Sequence, residues 1–482
     1  MRGTGSRYIG PMEYADTQSQ ELDPALCRRA RLSRDQRFDG KFFLAVKTTG
    51  IYCRPICPAR SPAEKNVQYF RLATQAAEAG YRPCLRCRPE SAPGSPAWEG
   101  TSTTVKRALQ LIRDGVLSED KLSSLAERLG IGERYLRKLF EQELGVSPQA
   151  IALNQRLLFA KKLLAETALP ITDVAFAAGF GSVRRFNSAV KTHFGLTPSD
   201  LRGKRSKTQG TDISLQLQYR PPYDWEGVVD FLAHHAIEGV EEVTNQAYCR
   251  NFRTPAGPGR LEVRPLARRD ALELKLQLPD NRQLMPLVTQ LRRMFDLDAN
   301  PGEISDHLQR DPALAALSLR SPGARSPGHW NFYESAIRAI VGQQVSTVAA
   351  RTVLSRLARA CAQDGPITFP AAAELAALSD EHFPMPSRRR ETLRTLCRQF
   401  AGREDELNLE SLAAIKGVGP WTVGMVAVRG AGDPDVFPSG DLGLERTWSS
   451  LPGSSGKLND AAQQWRPWRS YAANLLWRNY SP

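Results

Sequence analysis

The feature that most constrains the fold is a set of four cysteines in two closely spaced pairs. Cys53 and Cys57 form a C-x3-C pair, Cys84 and Cys87 form a C-x2-C pair, and 26 residues separate the two. Each pair can occupy one side of a tetrahedral ion if the chain between them folds back. We expect no secretory signal and therefore a reducing compartment, in which paired cysteines are more often metal ligands than disulfides. The spacing predicts one zinc ion held by four thiolates, and a purely structural role for it stays open.

Charge is unevenly distributed along the chain. The 482 residues carry a net charge of +14, with −2 in residues 1–26, +8 in 27–100, +8 in 101–207 and zero in 208–482. A cationic first half suits a polyanion such as nucleic acid, although many basic surfaces serve only solubility. No run of about 18 apolar residues is present, so we expect no membrane partner. Because the second half has no net charge, a role in binding nucleic acid can be inferred only from its motifs.

Two stretches rich in Pro, Ser, Gly or basic polar residues, 89–101 and 203–212, predict linkers. Together with the motifs below they predict a multidomain protein that is mainly α with α+β parts. We predict a disordered N-terminus at 1–26, a small zinc-bound α/β domain at 27–90, an all-α domain at 102–202, an α+β domain at 213–320 and an all-α domain at 327–480.

Residues 102–202 contain an internal repeat with an offset of 49 or 50 residues. LSSLAERLGIGERYLRKLFEQELG and ITDVAFAAGFGSVRRFNSAVKTHFG each predict a helix, a glycine-containing turn and a second helix. This is the helix-turn-helix pattern, whose second helix enters the major groove of double-stranded DNA, and a plain helical bundle is the alternative. The candidate DNA-binding residues on the second helices are Arg134, Arg137, Lys138, Arg184, Arg185, Asn187 and Lys191.

The same segment, 102–202, resembles the AraC-type DNA-binding domain, which carries two such units. The resemblance implies a transcription activator that recognises a promoter and works with RNA polymerase.

FDGKFFLAVKTTGIYCRPICPARSPAEKNVQYF and AGYRPCLRCRPE closely resemble the N-terminal domain of the Ada methyltransferase, over roughly residues 33–90. The resemblance implies that one zinc-bound thiolate removes the methyl group from a DNA methylphosphotriester and keeps it irreversibly. By motif position that nucleophile is Cys53, and Cys57, Cys84 and Cys87 are its companion ligands. A zinc-bound thiolate stays deprotonated near neutral pH, so the displacement needs no separate base. Methylation removes one negative charge, which we expect to strengthen DNA binding and switch on activation.

The strongest motif of the second half is IKGVGPWT at residues 415–422. Gly417 and Gly419 allow a tight hairpin between two short helices, whose backbone N–H groups can bind a DNA phosphate without sequence preference. An ordinary glycine-rich helix connection is the alternative for these glycines alone. With LQYRPPYDW, AIVGQQVS, DVFPSGD and WRPWRSYA, residues 213–480 resemble the AlkA-type 3-methyladenine DNA glycosylase II, a helix-hairpin-helix enzyme with a TBP-like α+β domain.

That resemblance implies a role for Asp441 as the catalytic carboxylate, which would stabilise positive charge at the deoxyribose C1′ and help position the attacking water. For Asp441 by itself, a surface residue at a helix start is the alternative. A damaged base must leave the duplex to react, and by motif position Gln344 fills the gap, with Gln343 beside it. The remaining candidates implied by motif position are Phe231, Trp421, Met425 and Trp477 in the base pocket, and Thr422 of the hairpin as a DNA-binding residue.

The aromatic pocket residues imply a preference for cationic N-alkylated purines, because ring faces attract cations. Trp421 stands where relatives that also cut the backbone carry a nucleophilic Lys, so we predict a monofunctional glycosylase that leaves an abasic site. No cysteine follows Cys397, and we therefore expect no iron–sulfur cluster.

These features predict one alkylation-response protein that accepts methyl groups, activates transcription and excises bases such as 3-methyladenine and 7-methylguanine. We expect a cytoplasmic, nucleoid-associated monomer that binds promoter DNA and alkylated DNA. The alternative is a zinc-containing transcription regulator whose C-terminal half binds DNA without chemistry.

Overall fold

The computed structural model describes residues 22–89, 92, 103–113, 115–119, 122–202, 213–362 and 365–480. Most of the predicted disordered N-terminus and of the first linker, and all of the second linker, lie outside these residues. Within the described residues, no helix combines the length and the apolar character needed to span a bilayer.

The N-terminal domain is a four-stranded mixed sheet with the strand order β3-β1-β2-β4, flanked by two helices. The first helix starts at Asp23, whose carboxylate accepts the backbone N–H of Ala25 at 2.8 Å. Strands β2 and β4 pair in parallel through Tyr52 and Pro83, which sets the residues that follow them side by side. The elements are α1 (Pro24–Ser33), β1 (Phe43–Val46), β2 (Ile51–Cys53), β3 (Val67–Phe70), α2 (Ala73–Glu78) and β4 (Arg82–Pro83).

The second domain is all helical and contains two helix-turn-helix units joined by one long helix. Its helices are α3 (Thr103–Arg113), α4 (Val116–Glu119), α5 (Leu122–Arg128), α6 (Glu133–Leu144), α7 (Pro148–Glu166), α8 (Ile171–Ala177), α9 (Val183–Phe194) and α10 (Pro198–Arg202). Helices α6 and α9 both end at a left-handed glycine, Gly145 and Gly195, with φ of 65° and 66°. The sequence repeat is therefore a structural repeat.

A five-stranded antiparallel sheet with the order β5-β9-β8-β7-β6 forms the centre of the third domain. Strand β5 alternates buried and exposed side chains, as a sheet with one covered face requires. Its buried face shares one hydrophobic core with α7, α8 and α9, so the second helix-turn-helix unit packs directly on this domain. The elements are β5 (Ile213–Gln218), α11 (Trp225–His235), β6 (Glu241–Val243), β7 (Tyr248–Thr254), β8 (Gly257–Pro265), β9 (Ala271–Gln277) and α12 (Leu284–Met294).

The rest of the chain is helical and has two cores. One core lies among α15 to α20, and the other joins α13 and α14 to α21, α22 and α23. Helices α13 and α14 fall within the predicted α+β domain at 213–320 but pack against the C-terminal helices. The helices are α13 (Pro301–Leu308), α14 (Pro312–Arg320), α15 (Phe332–Val341), α16 (Thr347–Ala360), α17 (Ala372–Ala377), α18 (Ser387–Gln399), α19 (Leu409–Ala413), α20 (Pro420–Val426), α21 (Leu442–Ser450), α22 (Leu458–Ala461) and α23 (Arg469–Arg478).

This architecture confirms the predicted fold class, a mainly helical multidomain chain with a small mixed sheet and an α+β domain. The exact domain boundaries stay predictions.

A buried ion network fastens the α+β domain to α15. Arg250 bonds Glu241 at 2.9 Å and also pairs with Glu334, while Arg338 bonds both carboxylates at 2.7 Å. Burial alone raises the pKa of Glu241, but the charges of Arg338 and Arg250 outweigh it and bring the pKa down to about 2. The Arg250 guanidinium also lies 4.5 Å from the ring centroid of Trp330. The two guanidinium groups balance the two carboxylates, so removal of any one of the four side chains leaves an unmatched buried charge.

Glu334→Ala is expected to destabilise this junction by about 3–5 kcal/mol, because two buried guanidinium groups lose a partner. Urea unfolding followed by tryptophan fluorescence measures the loss, since Trp330 lies against Arg250. The control is Glu133→Ala, which breaks an exposed pair with Arg137 and is expected to cost about 0.5 kcal/mol or less. Equal effects of the two substitutions would contradict the importance of the network.

Candidate functional sites

The four predicted metal ligands lie together. Cys53 ends β2 and Cys84 directly follows β4, and the parallel pairing of these strands brings the two cysteines side by side. All four Sγ atoms, including those of Cys57 and Cys87, lie within 4.8 Å of one another, and three of the four residues are buried. Four thiolates at this spacing fit a tetrahedral zinc ion.

The four sulfur atoms differ in their hydrogen bonds. Cys87 Sγ accepts the backbone N–H of Arg54 at 3.3 Å, and Cys84 Sγ accepts that of Arg86 at 3.4 Å. Within the described part of the chain, no backbone N–H donates to the Sγ of Cys53 or of Cys57. Hydrogen bonds stabilise a thiolate and lower its reactivity, so Cys53 and Cys57 carry the less stabilised sulfurs. Cys53 as the nucleophile stays a prediction from motif position.

Two buried cations lie against the cysteine cluster. Arg54 pairs with Asp39, its Nε lying 2.7 Å from Oδ1, and donates from Nη1 to the carbonyl oxygen of Cys87. Lys161, on α7 of the helix-turn-helix domain, donates from Nζ to the carbonyl oxygen of Cys84 at 3.1 Å. The charge of Arg54 is matched by Asp39, whereas the charge of Lys161 offsets part of the negative charge that four thiolates place on a divalent ion. Lys161 gave no sequence signal, because only the tertiary fold brings α7 to the cysteines.

The predicted DNA-contacting side chains lie on the outer faces of α6 and α9. The exposed residues include all of the candidates, namely Arg134, Arg137, Lys138, Arg184, Arg185, Asn187 and Lys191. The inner face of each helix is apolar and buried, as Phe140 and Phe186 show. Tyr135, which the sequence did not single out, is 53% exposed on the outer face of α6. Both recognition helices therefore present a polar, mainly cationic surface.

The glycine hairpin joins α19 to α20. Gly417 has a φ of +95°, and a Cβ there would lie 2.1 Å from Thr392 Oγ1, so only glycine fits. Gly419 is the N-cap residue of α20, and a Cβ at this position would meet no atom within 4 Å. Binding of a DNA phosphate at this N-cap stays a prediction.

Gln343 and Thr422 lie behind the hairpin. Gln343 Nε2 donates to the carbonyl oxygen of Gly417 at 3.1 Å and to Thr422 Oγ1 at 3.0 Å. The side chain of Thr422 is buried, so it supports the hairpin rather than facing a ligand. Gln344 is exposed and has a φ of +56°, an uncommon conformation for a residue other than glycine. Such strain is typical of functional positions and agrees with the predicted insertion into DNA.

Asp441 is both a helix cap and the acceptor for two indole N–H groups. Its Oδ1 accepts the backbone N–H of Leu444 at 3.0 Å and the indole N–H of Trp477 at 3.1 Å. Its Oδ2 accepts the indole N–H of Trp421 at 2.9 Å. The two interpretations of this residue, cap and catalytic group, are therefore compatible. Two of the predicted pocket rings hold the carboxylate in one orientation.

The other residues that motif position assigns to the base pocket lie on separate elements. Met425 is partly buried on α20, and Leu442, which follows Asp441, is 71% exposed. Phe231 projects from α11 and lies 4.3 Å from the guanidinium of Arg429, which also lies 4.8 Å from the ring centroid of Trp477. The sequence did not single out Arg429, because Arg429 meets Phe231 and Trp477 only in the tertiary fold. The assignment of Phe231, Met425 and Trp477 to a base pocket stays a prediction.

Two histidines also adjoin Phe231. The ring of His235 lies 4.3 Å and that of His329 lies 5.9 Å from the phenyl centroid. Burial lowers the pKa of His235 to about 3 and holds the pKa of His329 well below its ordinary value. Both rings are therefore neutral at neutral pH and add no charge to the pocket. Neither was predicted, since a single histidine in a helix or loop carries no pattern.

Three family models match the chain. The metal binding domain of Ada matches residues 26–90, a helix-turn-helix domain matches 125–204, and the AlkA N-terminal domain matches 214–331. Together with the cysteine cluster, the first of these confirms the predicted zinc site with four cysteine ligands.

Curated relatives cover the whole arrangement. A protein of Mycobacterium tuberculosis described as a probable bifunctional transcriptional activator/DNA repair enzyme AlkA is 41% identical over 475 residues, which are 94% of this chain and 95% of that protein. DNA-3-methyladenine glycosylase 2 of Escherichia coli is 30% identical over 54% of this chain and 95% of its own length. The Escherichia coli bifunctional transcriptional activator/DNA repair enzyme Ada is 32% identical over 36% of this chain and 47% of its own length.

Proposed function

Because the chain belongs to the family of bifunctional transcriptional activator/DNA repair enzymes that join Ada-type and AlkA-type domains, we propose a specific site for each of its two chemistries. Cys53 accepts a methyl group from a DNA methylphosphotriester, and Asp441 serves hydrolysis of the N-glycosidic bond of alkylated purines. The observation that carries the proposal is the carboxylate of Asp441, held by two indole N–H groups beside a pocket of aromatic rings.

Methyl acceptance uses the sulfur of Cys53. Zinc, when bound, keeps the four thiols ionised near neutral pH. The Cys53 thiolate attacks the methyl carbon, so that an S–C bond forms, the C–O bond of the triester breaks, and the electron pair leaves with the phosphodiester oxygen. The absence of a backbone donor at Cys53, within the described residues, supports this cysteine over Cys84 and Cys87, and motif position supports it over Cys57.

Base excision uses the fixed orientation of Asp441. Its negative charge stabilises the positive charge that develops at C1′ as the base departs, and a water molecule completes the hydrolysis. The bonds from Trp421 and Trp477 mean that the carboxylate needs no rearrangement when this charge appears. Trp421 occupies the position at which a nucleophilic Lys would give strand cleavage, which supports a monofunctional reaction.

DNA engagement combines three elements. The exposed backbone at Gly419 binds a phosphate, and Gln344 enters the duplex in place of the extruded base. The cationic faces of α6 and α9 read a promoter in two successive major grooves. Gln343 and Thr422 support the hairpin from behind.

Activation links the first two domains. Methylation of Cys53 removes one negative charge from a cluster that Lys161 of α7 contacts directly through the carbonyl of Cys84. Less repulsion of phosphates strengthens promoter binding, and the bound protein then recruits RNA polymerase. The protein acts as a monomer, and because all of its targets are DNA, we place it at the nucleoid in the cytoplasm.

The decisive experiment incubates the purified protein with methylated DNA. Mass mapping then locates the methyl group among the cysteines, and chromatography identifies the released bases. We expect a methyl group on Cys53 together with free 3-methyladenine and 7-methylguanine. Methylation without any base release favours the alternative, a regulator whose C-terminal half binds DNA without chemistry. Size-exclusion chromatography with light scattering tests the monomer.

A further inference from the structure

A buried cation lies behind the base pocket. Arg429 belongs to a single π-helical segment, Ala427–Ala431, that follows α20, and it is 4% exposed. Its guanidinium carbon lies 4.3 Å from the ring centroid of Phe231 and 4.8 Å from that of Trp477. The guanidinium of Arg429 therefore contacts Phe231 and Trp477, two rings that motif position assigns to the pocket of the flipped base.

The hydrogen-bond partners of Arg429 are neutral. Nη1 donates to the carbonyl oxygen of Pro327 at 2.7 Å, and Nη2 donates to the amide oxygen of Asn474 at 2.9 Å. Among the described residues, no carboxylate lies within ion-pair distance of this guanidinium. Burial lowers the pKa of Arg429 to about 9, and the nearby charge of Asp441 raises it, so the side chain stays protonated at neutral pH. A buried cation without a direct anionic partner is costly, which points to a role.

Other ionisable groups near Arg429, among the described residues, are either neutral at neutral pH or paired with an opposite charge. His235 and His329 are neutral at neutral pH. The guanidinium groups of the junction network are matched by Glu241 and Glu334. Among the described residues, Arg429 has no carboxylate as a direct partner, and Asp441 acts on it only from a distance.

The position of Arg429 also decides which ring face is free. Since the guanidinium covers one face of Trp477, a base that stacks on this ring must use the opposite face. A cationic base and Arg429 then lie on the two sides of one indole, roughly 8 Å apart. At an effective dielectric constant of about 20, two like charges at this distance repel enough to change a rate about 30-fold.

We propose that Arg429 is a specificity-determining residue that reduces the preference of the pocket for cationic bases, so that neutral damaged purines are also excised. The proposal rests on the proposed glycosylase function. Arg429 acts through the rings and through the field at the stacked base, without touching the base itself. A residue with a purely structural role would change the rates for cationic and neutral bases by the same factor.

The test is a competition in one reaction between two duplex oligonucleotides, one with 7-methylguanine, whose ring is cationic, and one with hypoxanthine, which is neutral. The ratio of the two release rates does not depend on how much enzyme is folded, because both substrates meet the same preparation. The variants are Arg429→Met and Arg429→Gln, which remove the charge, and Arg429→Lys, which keeps it.

We expect the ratio of cationic to neutral base release to rise about tenfold in Arg429→Met and Arg429→Gln, less than the full repulsion because Asp441 and solvent screen it. Arg429→Lys should stay within about threefold of the wild type. An unchanged ratio in the neutral variants, an equal change in all three variants, or a wild type that releases no hypoxanthine would each overturn the proposal. A wild type that releases neither base would instead refute the glycosylase function itself.

Discussion

Asp441→Asn is expected to lower the rate of alkylpurine release about 10³-fold, a loss of about 4 kcal/mol of transition-state stabilisation. The substitution keeps the size of the side chain but removes the negative charge that faces the developing cation at C1′. It also turns one oxygen into an NH2 group, which cannot accept the indole N–H that Trp421 or Trp477 donates. Single-turnover excision of 7-methylguanine from a defined duplex measures the change.

The chain offers a matched control for this substitution. Asp311 is also a helix N-cap residue, accepting backbone N–H groups of Ala313 and Leu314, and its Oδ2 accepts the indole N–H of Trp465 at 2.7 Å. Asp311→Asn therefore disturbs the same kinds of bond in the core of the C-terminal helices. We expect it to lower stability by about 1 kcal/mol and to leave the excision rate per folded molecule unchanged. A similar loss of rate in both variants would contradict a catalytic role for Asp441.

Local patterns in the sequence were sufficient to predict the parts of each site that lie within one short segment. The cysteine spacing predicted the sulfur cluster, the 49- to 50-residue repeat predicted two helix-turn-helix units, and the two glycines predicted the hairpin. In each case the physical requirement acts between residues that are neighbours in the chain, such as the space at Gly417 or the left-handed end of α6 at Gly145.

What the sequence could not predict depends on contacts between distant segments. Arg429 lies 198 residues after Phe231 in the chain. The two side chains are in contact because the fold brings α11 to the π-helical segment that follows α20. Lys161 donates to the carbonyl oxygen of Cys84 only because the fold places α7 beside the four cysteines. The same limit explains α13 and α14, whose apolar faces gave no indication that they pack on the C-terminal helices.

Asp441 combines an interaction that is local in the sequence with interactions between distant segments. A carboxylate at a helix start is a frequent cap, so the residue type alone favours the simple interpretation. The structure retains the cap through Leu444 and adds two indole donors from α20 and α23. The cap fixes the backbone of Asp441, and the two tryptophans fix its carboxylate, so that local and tertiary interactions together give one orientation, which suits the proposed catalytic role.

Cys53→Ala is expected to abolish methyl acceptance completely while leaving base excision intact. The substitution removes a sulfur without a backbone donor, within the described residues, and keeps the three thiolates that hold the metal from the other positions. Three protein ligands and a water molecule suffice for zinc, so the domain should stay folded with weaker metal binding. Intact-protein mass spectrometry after incubation with methylated DNA measures the methyl group, and elemental analysis measures the zinc.

The matched control is Cys249→Ala, which removes a half-buried thiol on β7, outside the cluster, and should accept one methyl group as the wild type does. Paired with Asp441→Asn, the substitutions should separate the two chemistries, because each variant keeps the reaction that the other loses. A methyl group on Cys57, Cys84 or Cys87 in Cys53→Ala would show that the position of Cys53 in the cluster does not select the nucleophile. Loss of both reactions in either variant would show that the two sites depend on each other, as the contact between Lys161 and the cysteine loop would allow.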